Sequence, residues 1–479
     1  MTATIQETIA TLQDTLQGYI EATYHIADPR VVEQRRRLLQ SSGGIFQTPF
    51  LESTPRYVTG DRYAAMTDIP GAAREAYVRL ASSAQGKPLL FDPPYRHQAE
   101  SIRAILRDQR NVMIMTGTGS GKTESFLLPI LGKLAIEASD KSEQFAAHSA
   151  ARAMVLYPMN ALVNDQLGRL RLLFGDERVI QMFQQWSGRA ATFARYTSRT
   201  PYAGVRTRGK DRTRLRSIGD FFVAIEDAAR RHAAGTPIVE AEDARAAALI
   251  ERLRVKGKWP AKPSVSDWFG TGYWMSGNAF RRAVALDDDA ELMTRWEVQQ
   301  APPDLLITNY SMLEYMMLRP IERSIFDATR AWLEACPEEK FLIVLDEAHL
   351  YRGAQGAEVG LLLRRLRERL GIPPERFQVI CATASFSDAG KASAGEFGAQ
   401  LTGVDAQSFV PVTGDLKLRE GAAKGSVADL ALLAAVDLDG FFSEDAAQRA
   451  AAIVPFLAAR GIAATTNDAT DLFHALADY

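Results

Sequence analysis

A glycine-rich stretch between an apolar run and a helical pattern constrains the fold of this chain most. The segment "NVMIMTGTGSGKTESFLLP" (111–129) begins as a strand and continues as a helix. Gly117, Gly119 and Gly121 let the backbone turn tightly, so that its N–H groups point at phosphate oxygens. A loop of this kind between a strand and a helix is typical of α/β nucleotide-binding folds.

The end of the same loop supplies the polar side chains that a nucleotide requires. Lys122 is a point charge for the β- and γ-phosphates, and the Thr123 hydroxyl is a ligand for Mg²⁺. The strict loop pattern begins with glycine where this chain has Thr116. The Gly-Lys-Thr ending and its context disfavour a chance glycine-rich turn. We predict that ATP contacts the whole loop: Thr116, Gly117, Thr118, Gly119, Ser120, Gly121, Lys122 and Thr123.

Four more short apolar runs follow, each bounded by polar or turn residues and followed by a helical pattern. They lie at 151–158, 303–309, 341–348 and 377–384. Alternation of strands and helices predicts an α/β fold with a mainly parallel sheet covered by helices on both faces. The first 40 residues and those after about 400 have helical patterns, and we predict an N-terminal and a C-terminal helical segment.

An acidic pair ends the third of these runs, "FLIVLDEAH" (341–349). Ligands of parallel sheets bind at the carboxyl ends of the strands, where this pair lies. Asp346 is suited to hold Mg²⁺, and Glu347 is suited to orient and deprotonate the attacking water. Acids also decorate helix N-termini without any catalytic role. The phosphate loop in the same chain favours the catalytic interpretation.

The patterns predict three regions along the chain. Residues 1–85 form an accessory helical region, 86–400 an ATPase domain, and 401–479 the start of a helical subdomain. The sheet does not need about 100 residues within the second region, and we predict an insertion at about 202–295. Its aromatic segment "WFGTGYW" (268–274) is either the insertion's small core, which we favour, or a surface that stacks bases.

Composition excludes several classes of protein. The 479 residues carry a formal net charge of −2, so nucleic acid binding requires a local basic face. Two cysteines exclude a disulfide scaffold and a four-cysteine zinc site within this chain. They fit a reducing cytoplasm. The N-terminus has no secretory signal pattern, and no apolar run is long enough to span a bilayer. We therefore expect a cytoplasmic location.

The motifs "MTGTGSGKT", "YPMNALVNDQ", "DEAH" and "CATAS" together resemble the first RecA-like domain of a superfamily 2 helicase. The segments "PPDLLITNYSMLEYMMLRP" and "VLDEAHLYRGAQGAEVGLLLRRLRERL" resemble the YprA/MrfA-like branch of DNA helicases. That branch includes large helicases of phage-defence operons, and "FGAQLTGVDAQSF" resembles the Druantia type most. The helicase resemblance covers residues 90 to about 390.

The resemblance implies roles for further residues. Tyr95 and Gln98, in "YRHQ", correspond to the Q motif, in which Gln98 would contact adenine. His349, Thr383 and Ser385 would couple the nucleotide state to domain movement. The segments that resemble motifs Ia, Ib and Ic imply a track for one nucleic acid strand. Its predicted contacts are Pro158, Asn160, Gln166, Arg195, Thr197, Arg199, Thr308, Asn309 and Tyr310.

Basic residues crowd the region that begins in the motif Ib segment. They are Arg195, Arg199, Arg206, Arg208, Lys210, Arg212, Arg214 and Arg216. A charge run is often a solvated loop. We favour contact with a nucleic acid backbone, which positions a strand without reading its sequence.

Two departures from the helicase pattern matter. Cys381 stands where motif III has serine, and nothing after residue 400 resembles motifs IV to VI. We expect this chain to be the first motor domain of a DNA helicase or translocase, with ATP and Mg²⁺ as cofactors. Its expected partners are single-stranded or tailed DNA, a downstream second RecA-like domain and other defence proteins. A nucleotide-dependent binding module and an RNA helicase are the alternatives. By itself the chain is expected to bind ATP weakly, to hydrolyse it slowly and to unwind nothing.

Overall fold

Eight parallel strands form the central sheet of the larger of two units into which the chain divides, residues 57–415. The computed structural model describes residues 5–41, 44–45, 57–84, 86–117, 119–202, 210, 213–236, 238, 240–269, 275–276, 279–280, 289–384, 393–417, 426–441, 443, 445–462 and 475. All statements below concern these residues.

The strands are short and mostly buried along their length. In chain order they are β1 Asn111–Met115, β2 Ala153–Tyr157, β3 Phe193–Arg195, β4 Met275–Ser276, β5 Ala279–Phe280, β6 Glu291–Leu292, β7 Leu305–Asn309, β8 Phe341–Leu345, β9 Phe377–Thr383 and β10 Phe409–Thr413. The main sheet has the order β10-β1-β9-β8-β2-β7-β3-β6, and β4 pairs with β5 in an antiparallel hairpin. Strands buried on both faces explain the apolar runs in the sequence.

Helices cover both faces of this sheet. Those of the larger unit are α3 Gly71–Ala81, α4 Arg96–Leu106, α5 Glu124–Asp140, α6 Ser142–Ala147, α7 Asn160–Phe174, α8 Glu177–Ser187, α9 Arg216–Ile218, α10 Ala224–Ala233, α11 Glu240–Val255, α12 Val265–Phe269, α13 Arg295–Gln300, α14 Tyr310–Leu318, α15 Arg323–Ala335, α16 Gly353–Leu370 and α17 Ala394–Thr402. Two apolar clusters, one on each side of the sheet, form the core. The predicted α/β class with a parallel sheet is therefore confirmed.

The smaller unit comprises residues 1–56 and 416–479 and is helical where it is described. Its helices are α1 Ile5–Thr23, α2 Pro29–Gln40, α18 Val427–Ala434, α19 Leu438–Phe441 and α20 Ala446–Ala459. Helices α1 and α2 are joined by an ion pair between Glu21 and Arg36. Among the described helices of the whole chain, none combines the length and the apolar character that a membrane crossing requires.

The larger unit extends beyond the predicted limits of 86 and 400. Strand β10 pairs with β1 over the full length of both strands, so the sheet continues past residue 400. Before residue 86, α3 packs on α5, and the Tyr77 hydroxyl donates a hydrogen bond to the Leu128 carbonyl at 2.7 Å. The sequence pattern missed these pieces because a single edge strand and a short helix carry little periodic signal.

The region of the predicted insertion, 202–295, has a small core of its own. Tyr202, Leu215, Trp259, Val265 and Trp268 are buried together. Trp268 is only 2% exposed, which favours the core interpretation over base stacking for this residue of the aromatic segment. Residues 270–274 lie outside the described residues. Strand β6 carries the region back to the main sheet, where it pairs with β3.

A buried ionic cluster fastens the sheet at the edge where the strands begin. Arg152, directly before β2, is fully buried and contacts Glu137 at 2.9 Å and Asp304 at 2.8 Å. Asp304, directly before β7, also accepts hydrogen bonds from Arg189 and from the Thr192 backbone. Burial alone would raise the pKa of Asp304, but Arg189 and Arg152 hold that pKa below its ordinary value.

We predict that Asp304→Asn lowers the free energy of unfolding by about 3 kcal/mol or more, since it leaves two buried arginines without their shared carboxylate. Because the pKa is lowered in the fold, this contribution is complete near neutral pH and is lost as the pH falls below about 4. Urea unfolding of the parent and the variant, near neutral pH and below about pH 4, measures the difference in free energy of unfolding. Glu338→Gln, which breaks a more exposed pair with Lys141, is the matched control and should cost less than about 1 kcal/mol. Equal losses from the two variants would contradict the assignment.

Candidate nucleotide and strand-binding site

Three adjacent strands bring the predicted catalytic segments together. Strand β9 lies between β1 and β8, and all three are parallel, so their carboxyl ends share one edge. The phosphate loop follows β1, the acidic pair follows β8, and Thr383 ends β9. The Thr116 N–H donates a hydrogen bond to the Thr383 carbonyl at 3.2 Å. The segment predicted to couple nucleotide and movement therefore lies between the two halves of the site.

The described part of the loop has the backbone that a phosphate cradle needs. Gly119 and Gly121 have φ angles of 76° and 72°, in the left-handed region that favours glycine. A Cβ atom on Gly121 would lie 2.4 Å from Nε2 of Gln98. The Ser120 hydroxyl donates to Oγ1 of Thr116 at 2.8 Å, which closes the turn. Thr118 lies outside the described residues.

Gln98 supports the loop through both ends of its amide. Its Oε1 accepts from the Tyr95 backbone N–H at 3.0 Å, and its Nε2 donates to the Gly121 carbonyl at 3.1 Å. The side chain is buried, with 8% exposed. Contact between Gln98 and adenine stays a prediction, for which the second N–H of Nε2 and the second lone pair of Oε1 remain.

An aromatic group beside the loop contains the predicted Tyr95 and two rings, Tyr57 and His97, that the sequence interpretation missed. The rings of Tyr57, Tyr95 and His97 lie within 5.4–5.6 Å of one another. His97 Nε2 is 2.9 Å from the Ser120 carbonyl, and the Tyr57 hydroxyl lies 3.1 Å from the place of a Cβ on Gly117. No local motif marks Tyr57, which comes from before the predicted domain boundary. Tyr95 and His97 are stacked, and Tyr57 packs against both at a steep angle, so the three rings form a tilted aromatic cluster at the loop.

Lys122 joins the phosphate loop to the acidic pair. Its ammonium group is 2.6 Å from Oε1 of Glu347 and 3.2 Å from Oδ1 of Asp346. Asp346 is 4% exposed, and burial raises the pKa of its carboxyl, although Lys122 opposes that shift. Glu347 has a φ of 50°, a left-handed backbone rarely adopted by residues other than glycine. Both carboxylates are thus held beside the phosphate loop by its lysine.

The predicted coupling residues meet where the structure describes them. His349 Nδ1 is 3.0 Å from Oγ1 of Thr383 and 3.4 Å from Oε2 of Glu347. Ser385 lies outside the described residues. Cys381, the departure from the motif III pattern, is fully buried in β9, and burial raises the pKa of its thiol to about 12. The thiol therefore packs as a small apolar group.

The predicted strand-binding residues gather on the other half of the same edge, where β2, β7 and β3 are adjacent. The Asn309 amide donates to Oδ1 of Asn160 at 2.7 Å. Arg195 donates to Oδ1 of Asn164 at 2.6 Å. Arg199 is exposed, and Pro158 and Tyr310 are partly exposed. These hydrogen-bonded side chains form a row along this half of the edge, which we call the polar row: Asn160, Asn164, Arg195 and Asn309.

Three of the predicted strand contacts are buried and hold the local fold. Thr308 is fully buried and donates its hydroxyl to the Tyr196 carbonyl at 2.6 Å. Thr197 is also fully buried, and its hydroxyl accepts from the Arg199 N–H at 3.3 Å. Gln166 is 7% exposed. Contact of these three side chains with a nucleic acid strand stays a prediction, and their burial leaves little of their surface for such a contact.

The basic run continues into the insertion. Lys210, Arg214 and Arg216 are exposed, whereas Arg206, Arg208 and Arg212 lie outside the described residues. Arg214 lies over the ring of Tyr202 at 5.4 Å, and Arg216 pairs with Asp220. Part of the run therefore has local partners, and its contact with nucleic acid stays a prediction.

The residues present fit ATP and Mg²⁺. The loop supplies left-handed glycines and a lysine, and the buried Asp346 carboxylate is a hard oxygen ligand near the start of the loop's helix. The described residues contain no cluster of three or more His, Cys, Asp or Glu that could hold a metal by themselves. A magnesium ion here would need nucleotide oxygens and water as further ligands, as is usual for this ion.

Comparison with known proteins agrees with this geometry. Residues 95–211 match the DEAD/DEAH box helicase family. Eighty-five residues, 18% of the chain, are 40% identical to the ATP-dependent RNA helicase DBP7 of Meyerozyma guilliermondii, of which they cover 11%. A crystal structure of the DUF1998 helicase MrfA bound to DNA matches with a TM-score of 0.39 and 18% identity, over 80% of this chain and 34% of MrfA.

The sheet order, the phosphate loop and the acidic pair define a RecA-like α/β domain, and its residues 95–211 make it similar to the DEAD/DEAH box helicases. Within them it is similar to Druantia protein DruE of Escherichia coli (strain UMEA 4076-1), with 41% identity over 459 residues. The alignment covers 91% of this chain and 24% of DruE, so the chain spans about a quarter of that relative's length. The resemblance predicted from the motifs is confirmed.

We predict opposite effects for two substitutions at the ion pair. Lys122→Ala should weaken ATP binding by roughly tenfold to a hundredfold, since it removes the cation that would contact the phosphates. Glu347→Gln should preserve ATP binding and reduce turnover by roughly 10²-fold to 10⁴-fold, since an amide cannot accept the proton of water. Binding of a fluorescent ATP analogue and phosphate release measure the two effects.

Lys141→Ala, which removes a lysine from a different carboxylate pair, is the control for loss of an ion pair and should leave ATP binding unchanged. If Glu347→Gln hydrolyses ATP at the parent rate, Glu347 is not the general base.

Proposed function

We propose that this chain is the ATP-binding first motor domain of an ATP-dependent DNA helicase or translocase. One observation supports the proposal most. The nucleotide residues lie on β1, β9 and β8, the polar row lies on β2, β7 and β3, and both occupy one edge of one continuous sheet. A change at the nucleotide can therefore reach a bound nucleic acid strand through neighbouring β-strands of the same sheet, without a separate linker.

The residues divide the chemistry among themselves in this proposal. Lys122 binds the terminal phosphates, and Thr123 and Asp346 hold Mg²⁺, which neutralises phosphate charge when bound. Glu347 orients the attacking water and takes its proton. Lys122 has to exchange its two carboxylate contacts for phosphate oxygens as the nucleotide enters, so binding frees Asp346 and Glu347 for these roles. His349 and Thr383 connect the acidic pair to β9.

Efficient hydrolysis in this proposal requires a second RecA-like domain. The predicted nucleotide contacts and the acidic pair all come from one domain and form one wall of a cleft. An arginine finger on the opposite wall contributes on the order of 10³-fold to 10⁵-fold in rate by stabilising charge on the transferred phosphate. Stepping along a strand likewise needs two domains that open and close.

A nucleic acid other than DNA is the second candidate substrate. The local identity to the RNA helicase DBP7 supports an RNA helicase over the shared 85 residues. The segments that resemble the YprA/MrfA-like branch of DNA helicases lead us to favour DNA. A binding module with little turnover is a third candidate, against which the complete set of Lys122, Thr123, Asp346 and Glu347 argues.

The likeness to Druantia protein DruE also supports a biological setting. We propose that the chain acts in antiviral defence inside bacterial cells, together with the products of neighbouring defence genes. The measurement is phage plating on cells that carry the natural operon with Lys122→Ala. Unchanged protection would contradict the defence role of the motor.

We predict that single-stranded DNA stimulates the ATPase of the natural full-length protein by about tenfold or more. The reason is that the residues for nucleic acid and for nucleotide share one edge of the sheet. Single-stranded RNA of the same sequence should stimulate it much less. Phosphate release with each strand, at equal ionic strength, decides between the candidates, and Glu347→Gln is the control for contaminating ATPases. Stimulation by RNA alone would establish the RNA helicase, and turnover unaffected by both would favour the binding module.

A further inference from the structure

One face of α7 carries contacts along its whole length. Residues three or four positions apart share a helix face. On α7 and its C-terminal cap this face consists of Asn160, Asn164, Gly168, Arg171 and Gly175. The first two belong to the polar row of the strand-binding half. The last three contact the insertion, so a single rigid element connects the two.

The N-terminal half of this face holds two residues of the polar row. Asn160 accepts a hydrogen bond from Asn309 at the end of β7, and Asn164 accepts one from Arg195 at the end of β3. The orientation of α7 therefore sets the position of the Arg195 guanidinium. Nη1 of that guanidinium donates to Asn164, and its Nε is buried without a described partner, so a contact with a phosphate group has to come from the Nη groups.

The C-terminal half of the face is fastened to the insertion by a two-point ion pair. Nε and Nη2 of Arg171 contact the two carboxylate oxygens of Glu291 at 2.8 and 2.7 Å. The same carboxylate accepts the Ala261 backbone N–H at 2.9 Å, and Arg171 also donates to the Lys258 carbonyl at 3.3 Å. Glu291 lies in β6, so this pair ties α7, the insertion and the edge of the sheet together.

Two glycines let the insertion approach α7 at backbone distance. Gly257 has a φ of 62°, and a Cβ atom there would lie 2.2 Å from the Gly168 carbonyl oxygen. Beyond this contact, a Cβ on Gly175 would lie 2.6 Å from Cβ of Ala261. The insertion therefore follows the helix from Gly168 to Gly175, and larger residues would separate the two.

The insertion is itself braced behind this contact. Lys262 is fully buried, pairs with Asp289 at 3.0 Å and lies 3.6 Å from Glu297. Glu297 also accepts a hydrogen bond from Nε1 of Trp268 at 2.8 Å. A braced insertion can hold α7 in one orientation, whereas a loosely packed one cannot.

We propose that the insertion is a positioning element for strand binding, and that Arg171 and Glu291 are positioning residues that act on Arg195 through α7. This inference rests on the proposed function, because it concerns the affinity for the strand that the polar row binds. We call the Arg171–Glu291 ion pair the clamp. Without it, α7 is free to tilt, and Arg195 is no longer aligned with the backbone of a bound nucleic acid strand.

The test compares two neutralised carboxylates in full-length protein. Glu291→Gln breaks the clamp. Asp243→Asn is matched, since Asp243 also binds an arginine (Arg231) through both oxygens, accepts one backbone N–H and has a side chain 4% exposed, as Glu291 has. Asp243 does not contact α7 in the described hydrogen bonds and ion pairs. Both variants gain the same net charge.

For Glu291→Gln, the loss of a negative charge and the loss of positioning predict opposite changes in affinity for single-stranded DNA. Burial lowers the pKa of Arg195, and the Glu291 carboxylate opposes that shift, so its charge reaches the arginine. Removing that charge should by itself tighten binding to a polyanion. If Glu291 positions Arg195, Glu291→Gln should instead weaken binding of fluorescent oligothymidine by roughly threefold or more. Its salt dependence should fall by about one unit of slope, the equivalent of one phosphate contact.

Arg171→Lys is the second variant, because it keeps the net charge and loses the two-point geometry. It should weaken oligothymidine binding in the same direction, and the exchange of both charges, Arg171→Glu with Glu291→Arg, should restore part of the affinity. Asp243→Asn should bind as the parent does or more tightly, and all variants should bind the fluorescent ATP analogue normally.

Binding by Glu291→Gln or Arg171→Lys that equals the parent's would overturn the positioning role. A parent protein that binds no single-stranded DNA would overturn the proposed function first. The two failures are thus distinguishable.

Discussion

Parallel pairing of β1, β9 and β8 is the constraint on which the site depends. Parallel strands end at the same edge, so the loop after β1 and the acidic pair after β8 meet although more than 200 residues separate them along the chain. The placement of β9 between them puts Thr383 within hydrogen-bond distance of both the loop and His349. An antiparallel partner at that position would send its carboxyl end to the opposite edge and leave the two halves of the site unconnected.

The two edges of the sheet use buried charge differently. At the edge where strands begin, Arg152, Glu137, Asp304 and Arg189 pair with one another, with Oε2 of Glu137 left without a described partner, and aromatic rings lie over the guanidinium groups. At the carboxyl edge, Lys122 is shared between two carboxylates, and in the function we propose it leaves them when a nucleotide binds. In that proposal the ion pairs at the carboxyl edge can rearrange, while the buried cluster at the opposite edge keeps the register of the β-strands.

The sequence allowed the parallel sheet, the phosphate loop and the acidic pair to be predicted because each has a local signature: apolar runs, glycine spacing, carboxylates after a strand. The domain limits and Tyr57 depend on contacts between distant segments, such as β10 with β1, and no local pattern marks them. Thr197 and Thr308 lie in motifs that resemble strand-binding segments, yet both are buried and their hydroxyls bind backbone groups of the fold. A motif locates a segment, and only packing decides which side chain within it faces outward.

The two cysteines have a practical consequence. Cys336 and Cys381 are both buried, one at the end of α15 and the other inside β9, and burial raises the pKa of each thiol. A thiol reagent can reach them only when the surrounding structure opens, because both are buried. Opening also lets the thiol ionise, and the thiolate is the reactive form. The two native thiols can therefore report opening of the core, and one of them lies on β9, between the strands that precede the phosphate loop and the acidic pair. Labelling rates with and without nucleotide would map local stability without any engineered probe.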